Sequence, residues 1–383
     1  MSIAPSAVPS EAQPSASIWV QPSPRPNAET GTDLAWQRVA TFANAKNVQV
    51  HDVAAGPGGY VAVGVLIDGV VTELGNEGTT LPAIWHSADG TTWTEGDATA
   101  FGDHAAFAIA SDGLHYVATL YDGDRAMLYR SVDGRSWLPI ASQPIMSDAR
   151  VWDVVAAPGF GFIALAAMNV THDLSVWNSP DGATWTKQLD ITDGSEPTRL
   201  AIGPQEALAF GYGPSQPDGS IAPALWRSTT GADWQRHDPP SAGNGGLMVA
   251  GPTPLGWVAA GYVDGVGTAV WHSSDARTWT PLPPQPELRT DYEGDTGGTV
   301  GAFAFAGSEY LFGYASCCGF PPQRTYVSTD GEHWGRVARD SAIFAVHFGT
   351  VIVEGNRVVA IGNTLGDGGT GGTGGIWIGR VPS

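Results

Sequence analysis

Three aspartates sit beside residues that could shape a reactive site: Asp52 follows His51, Asp103 precedes His104, and Asp153 follows Trp152. Two carboxylates held roughly 5 to 10 Å apart can act as acid and base, or as acid and nucleophile, in cleaving a glycosidic bond. With 38 acidic residues in a chain of 383, nearness in sequence selects no pair. Asp52, Asp103 and Asp153 therefore stand as weak catalytic candidates and none is assigned. Binding is the other chemistry on offer. His51, Trp152 and Tyr292 bring aromatic faces with a polar edge, and Arg150, Arg199 and Arg324 bring forked donors that suit carboxylates and hydroxyls.

Other chemistries find less support. The acids of "DYEGDTGG" (Asp291, Glu293, Asp295) do not follow the spacing of a calcium loop, and no Cys or His pairs stand at zinc-ligand spacing, so no metal is expected. The glycine run "GDGGTGGTGG" opens no helix and lacks the Lys-Ser/Thr of a phosphate loop, so no nucleotide cofactor is expected either. The only two cysteines, Cys317 and Cys318, are adjacent and form either a strained vicinal disulfide or two free thiols. A formal charge of -20, with Lys46 and Lys187 the only lysines, repels nucleic acid and anionic lipid. No apolar run reaches the roughly 20 residues of a membrane-spanning helix.

The elements that position these residues are set by a repeat. "SADGTTW" (Ser87 to Trp93) returns as "SVDGRSW", "SPDGATW", "STTGADW", "SSDARTW" and "STDGEHW", with tryptophans at 93, 137, 185, 234, 279 and 334. Intervals of that size suit a four-stranded propeller blade. Each unit has the same order: an apolar run such as "VWDVVAA", a Gly/Pro turn, a second run such as "FIALA", and a variable loop. A third run such as "SVWNS" then leads into the S-x-D-G-x-x-W turn and a short fourth run. Four-stranded units repeated around a ring predict an all-β propeller. After the sixth turn "FGTVIVEGNRVVAIGN" and "GGIWIGRVPS" supply three more runs, and "DLAWQRVA" (Asp33 to Ala40) supplies the missing outer strand. The expectation is a seven-bladed ring closed by the N-terminal strand. Residues 1–32, rich in Pro, Ser and Ala, read as a disordered tether ahead of a propeller domain over 33–383.

These turns resemble the Asp-box, or bacterial neuraminidase, repeats of the sialidase-like propeller superfamily. The resemblance covers nearly everything from residue 33 onward. It implies that the box carboxylates and tryptophans (Asp89, Trp93, Asp133, Trp137, Asp181, Trp185, Asp275, Trp279, Asp330, Trp334) are structural. It implies a glycoside hydrolase as one possible activity. Sialidase chemistry within that superfamily uses three arginines, a Tyr/Glu pair and an aspartate, with an early Arg-Ile-Pro signature that this chain lacks.

Strand alternation separates two faces. The Gly/Pro turns and the box turns share one face, and they vary little. Length variation falls on the other, at 65–82, 212–223, 280–298, 314–324 and 363–375. Variable loops on a rigid scaffold are where binding concentrates. The expectation is an extracytoplasmic, monomeric binding module for a glycan or protein, using the variable-loop face. A glycoside hydrolase or an assembly scaffold is the alternative.

Overall fold

The computed structural model describes residues 34–380 apart from 42–46, 73–74, 123–124, 142–143, 147–148, 169–172, 242, 285–287, 289–297, 307–308, 317–323, 338–341, 344–345 and 365–372. The tether, Tyr292, the cysteine pair and the acids 291, 293 and 295 lie outside the described residues.

After β1 (Gln37–Thr41), blade 1 comprises β2 (Asn47–Gly56), β3 (Gly59–Thr72), β4 (Gly75–Ser87) and β5 (Thr94–Glu95). Blade 2 comprises β6 (Ala106–Ser111), β7 (Tyr116–Asp122), β8 (Arg125–Ser131) and β9 (Leu138–Pro139). Blade 3 holds β10 (Ala149–Ala157), β11 (Gly161–Met168), β12 (Leu174–Ser179) and β13 (Thr186–Ile191). In blade 4 stand β14 (Glu196–Ile202), β15 (Ala207–Tyr212), β16 (Pro223–Ser228) and β17 (Gln235–Arg236). Blade 5 runs through β18 (Gly245–Thr253), β19 (Gly256–Val263), β20 (Gly267–Ser273) and β21 (Thr280–Pro281). Blade 6 has β22 (Gly298–Ala306), β23 (Glu309–Ser316), β24 (Arg324–Ser328) and β25 (Gly335–Arg336).

These six sheets are each built from four consecutive strands. A further sheet is composite: β26 (Val346–Glu354), β27 (Arg357–Thr364) and β28 (Thr373–Arg380) are completed by β1, in the order β1-β28-β27-β26. The first strand of every sheet packs against that of the next, and β2 meets both β6 and β26, so the ring closes through the composite sheet. The closing strand starts later than the sequence suggests. Trp36 precedes β1 and packs its indole against Gly379, where an added Cβ would meet the ring at 3.0 Å.

The core lies between blades. Second strands are buried on both faces, which is why "YVAV", "FIAL" and "VVAI" read as continuous apolar runs. A small residue in these strands faces a large aromatic across the ladder: Ala62 opposes Trp85, Ala118 Tyr129, Ala164 Trp177, Ala209 Trp226, Ala259 Trp271 and Ala360 Trp377. Each of these alanines is fully buried, so the missing side-chain volume is filled by the ring. One expected loop is not a loop: residues 65–82 continue the β3–β4 ladder to the pair Thr72 and Gly75.

Candidate functional site

Every first strand carries one extra residue relative to its partner. The register shifts between Val50 and Asp52, Ala106 and Ala108, Val151 and Asp153, Pro197 and Arg199, Leu247 and Val249, Val300 and Ala302, and Phe348 and Thr350. The inserted residues are His51, Phe107, Trp152, Thr198, Met248, Gly301 and Gly349. A bulge re-aims side chains, and neighbouring blades cover both faces of these strands. The inserted residues therefore meet the open inner edge, around the central channel on its variable-loop side.

The ring of bulges is chemically lopsided. His51 stacks on Phe107 with centroids 5.2 Å apart and planes at 14°. Phe107 meets Tyr121 at 4.8 Å, and the Tyr121 hydroxyl donates to the carbonyl of Val151, next to Trp152. Ring contacts thus join blades 1 and 2, and a hydrogen bond joins Tyr121 to the strand of blade 3 that carries Trp152. Phe107 is 44% exposed and Trp152 50%, in strands whose flanking residues are buried. Beyond Trp152, the Thr198 hydroxyl is buried without a hydrogen-bond partner and Arg199 is exposed. Blade 6 and the composite sheet contribute only glycines at this level, so the channel mouth is walled on one side and open on the other.

Below these rings lie two carboxylates. Asp52 Oδ2 accepts from Ile109 N of blade 2 at 2.8 Å, and Oδ1 accepts from Val53 N at 2.8 Å and from Thr350 Oγ1 of the composite sheet at 2.7 Å. One side chain therefore stitches three inner strands. Asp153 repeats the pattern, accepting from Leu200 N of blade 4 at 2.8 Å. Inner-strand edges leave N–H groups without ladder partners, and a carboxylate at the bulge satisfies the next blade's. Enclosure by the blades pushes Asp52 up to about 7, against three hydrogen bonds that oppose the rise, and the Asp153 charge adds to it. Asp153 is raised by the same burial, offset by Arg199. Both side chains are half-buried, keeping contact with the channel. Burial lowers His51, whose Nδ1–H donates to the carbonyl of Ala106 at 2.9 Å and fixes the neutral tautomer.

The opposite face is scaffold. In the first S-x-D-G-x-x-W turn, Asp89 Oδ1 accepts from Thr91 N and Thr92 N, both at 2.8 Å, and Trp93 Nε1 donates to Gly90 O at 2.8 Å. The second turn repeats this, and Asp133 is held at about 2 by the N–H of Ser136 above all. The fourth turn shows what the sequence pattern hides. Thr230 stands at the usual aspartate position, yet Asp233 reaches back to accept from Ser228 Oγ at 2.6 Å and from the N–H groups of Thr229 and Thr230 at 3.1 Å. On this face Arg357 of the composite sheet donates to the carbonyl of Asp89 at 2.6 Å and to Glu354 at 2.9 Å, with the Tyr60 hydroxyl bound to both side chains. That clasp joins the composite blade to blade 1.

The structure brings together His51, Asp52, Trp152, Asp153 and Arg199 of the sequence candidates. Arg150 lies exposed at the start of β10, three residues ahead of Asp153. Arg324 begins β24 in blade 6. Asp103 is not part of the group: it stands 87% exposed in the link between blades 1 and 2, with His104 Nδ1 at 3.4 Å. Phe107, Tyr121 and Thr198 were missed. Counting back five or so residues from each Gly/Pro turn finds the bulge in every repeat and would have found Phe107 and Thr198.

No family model matches the chain, and no curated protein matches it in sequence. Solved structures share its architecture, a β-propeller with an aromatic-rimmed channel mouth being the class that fold and site define. An ancestral GH74 enzyme superposes with a TM-score of 0.57 at 13% identity, over 88% of this chain and 48% of that one. A puromycin hydrolase S511A mutant complexed with PGG gives 0.51 at 14%, over 88% and 53%. Trypanosoma rangeli sialidase gives 0.42 at 11%, over 90% and 58%. The chain thus spans about half the length of these proteins. The likeness to the first two establishes the propeller fold and carries no activity across.

Proposed function

We propose that the protein is a binding module that holds a glycan at the channel mouth on the variable-loop face. The observation that carries this reading is the pair of exposed aromatics, Phe107 and Trp152, on the inner strands of adjacent blades. The C–H faces of sugar rings pack on exposed aromatic planes, and the Thr198 hydroxyl and Arg199 lie beside Trp152 to bond ring hydroxyls. The Pro- and Ser-rich residues 1–32 support a position outside the cytoplasm. Among the described residues, no helix is long and apolar enough to cross a membrane. Screening the full chain on an immobilised glycan array tests the reading: binding that disappears in Trp152→Ala supports it, and a ligand set unchanged by that substitution overturns it.

A hydrolase is the second reading, favoured by one observation. Asp52, raised to about 7, would be protonated in part at neutral pH, as a general acid must be. Its three hydrogen-bond donors argue for scaffold instead, because they occupy the oxygens that would face a substrate. Turnover of fluorogenic sialosides or β-glycans, lost in folded Asp52→Asn and Asp153→Asn variants, would replace binding with catalysis.

A further inference from the structure

The face that the repeat marks as scaffold is interrupted at blade 5, where several irregularities coincide. The fifth turn has Ala276 in place of glycine, and it takes φ 54°, a left-handed conformation that a Cβ disfavours. In the first four turns the indole N–H of Trp93, Trp137, Trp185 and Trp234 donates to the carbonyl of the residue at this position, always a glycine. Trp279 Nε1 is buried with no partner. His272, which precedes this turn, also has a buried, unpartnered Nε2. The imidazole is hydrogen-bonded to the backbone of Gly331 in the next blade, and burial lowers its pKa, so it is neutral and Nε2 is an acceptor. Beside these groups opens a cavity of about 320 Å³, lined by Thr253, Leu255, Trp257, His272, Ser274 and Thr278 among others. Leu255 stands 80% exposed at its edge.

We infer that this cavity is a second binding site, on the face opposite the channel mouth, for a neutral pyranoside of one or two rings. Size, charge and wall chemistry agree on that class. The volume is at the small end of ligand sites. No lining residue carries a formal charge, so neither an anion nor a cation finds a counter-charge in the wall, and around it the acids Asp275, Asp330 and Glu332 outnumber Arg277. Leu255 and Trp257 offer an apolar wall, and the Thr253, Ser274 and Thr278 hydroxyls donate and accept. An apolar side with several hydroxyl partners is the complement of a sugar ring. The site does not depend on the glycan reading of the channel mouth, and either can fail alone.

The test is titration of the full-length chain with methyl β-glucoside, methyl β-galactoside and cellobiose, read by saturation-transfer NMR and by the His272 imidazole resonances. Binding in the millimolar range of at least one probe, with a shift of His272, is expected. Thr278→Trp, at the exposed rim, fills the cavity and should abolish the His272 shift, whereas Leu138→Ser, exposed on blade 2 away from both sites, should leave it unchanged. Thermal unfolding at the parent temperature confirms that both variants are folded. No binding of any probe up to 50 mM (roughly the weakest affinity worth calling a site) overturns the inference. So does a His272 shift that survives Thr278→Trp.

Discussion

Asp52→Asn isolates the electrostatics of the channel. The Asp52 carboxyl is raised to about 7 in the folded protein, against about 3.9 in an unfolded chain. Between those values the unfolded chain has released a proton that the folded one retains. The unfolded state therefore binds fewer protons, and stability falls as pH rises from about 4 to about 7, then levels off. Three units correspond to about 4 kcal/mol as an upper limit, and contact with channel water reduces the expected loss to about 2 kcal/mol. Asparagine does not titrate. Its loss of one acceptor adds an offset that is independent of pH, and the box carboxylates, all depressed and titrating at lower pH, cancel in the difference between the two proteins. Urea unfolding at constant ionic strength at four pH values from 4.5 to 7.5 measures this difference. The parent should lose about 2 kcal/mol relative to Asp52→Asn over that range. Parallel curves would refute the argument. A parent that gains relative stability with pH would show that the three hydrogen bonds outweigh burial.

Three further outcomes follow from the scaffold. Asp233→Ala should destabilise by about 1 kcal/mol through loss of its turn hydrogen bonds, and the swap Thr230→Asp with Asp233→Thr should recover it, as measured by urea midpoints. Gly134→Ala should cost about 2 kcal/mol, because φ is 71° and the new Cβ would lie 2.5 Å from Val61 Cγ2. Ala118→Leu, placed against Tyr129 in a fully buried strand, should cost about 1 to 3 kcal/mol, with a matching fall in melting temperature.

The repeat made the strand order legible because one unmistakable turn recurs at blade spacing and fixes the two apolar runs before it. The separation of faces followed from strand alternation alone. The bulges were not legible. One inserted residue in "VQVHDVAA" changes no composition and barely disturbs the alternation, and only the ladder with β3 shows that Val50 and Asp52 are neighbours in register. Phe107 in "AAFAIA" reads as a core aromatic, since nothing local distinguishes a ring between blades from one at the channel edge. Trp152 was singled out by its position beside Asp153, and the ladder supplies the reason that pair matters. Asp233 was overlooked for a different cause. A turn can be capped from either end, and the aligned motif assumes one.

The most direct test of the glycan-binding account is the affinity of the best array ligand for the parent, Phe107→Ala and Trp152→Ala. Affinity is read by isothermal titration and stability in parallel. Each exposed ring should contribute about 1 to 3 kcal/mol of stacking and burial, a loss of roughly 5- to 150-fold in Kd, with the unfolding midpoint unchanged in Trp152→Ala and lowered in Phe107→Ala by the lost contacts with His51 and Tyr121. Equal affinity in all three proteins would contradict it.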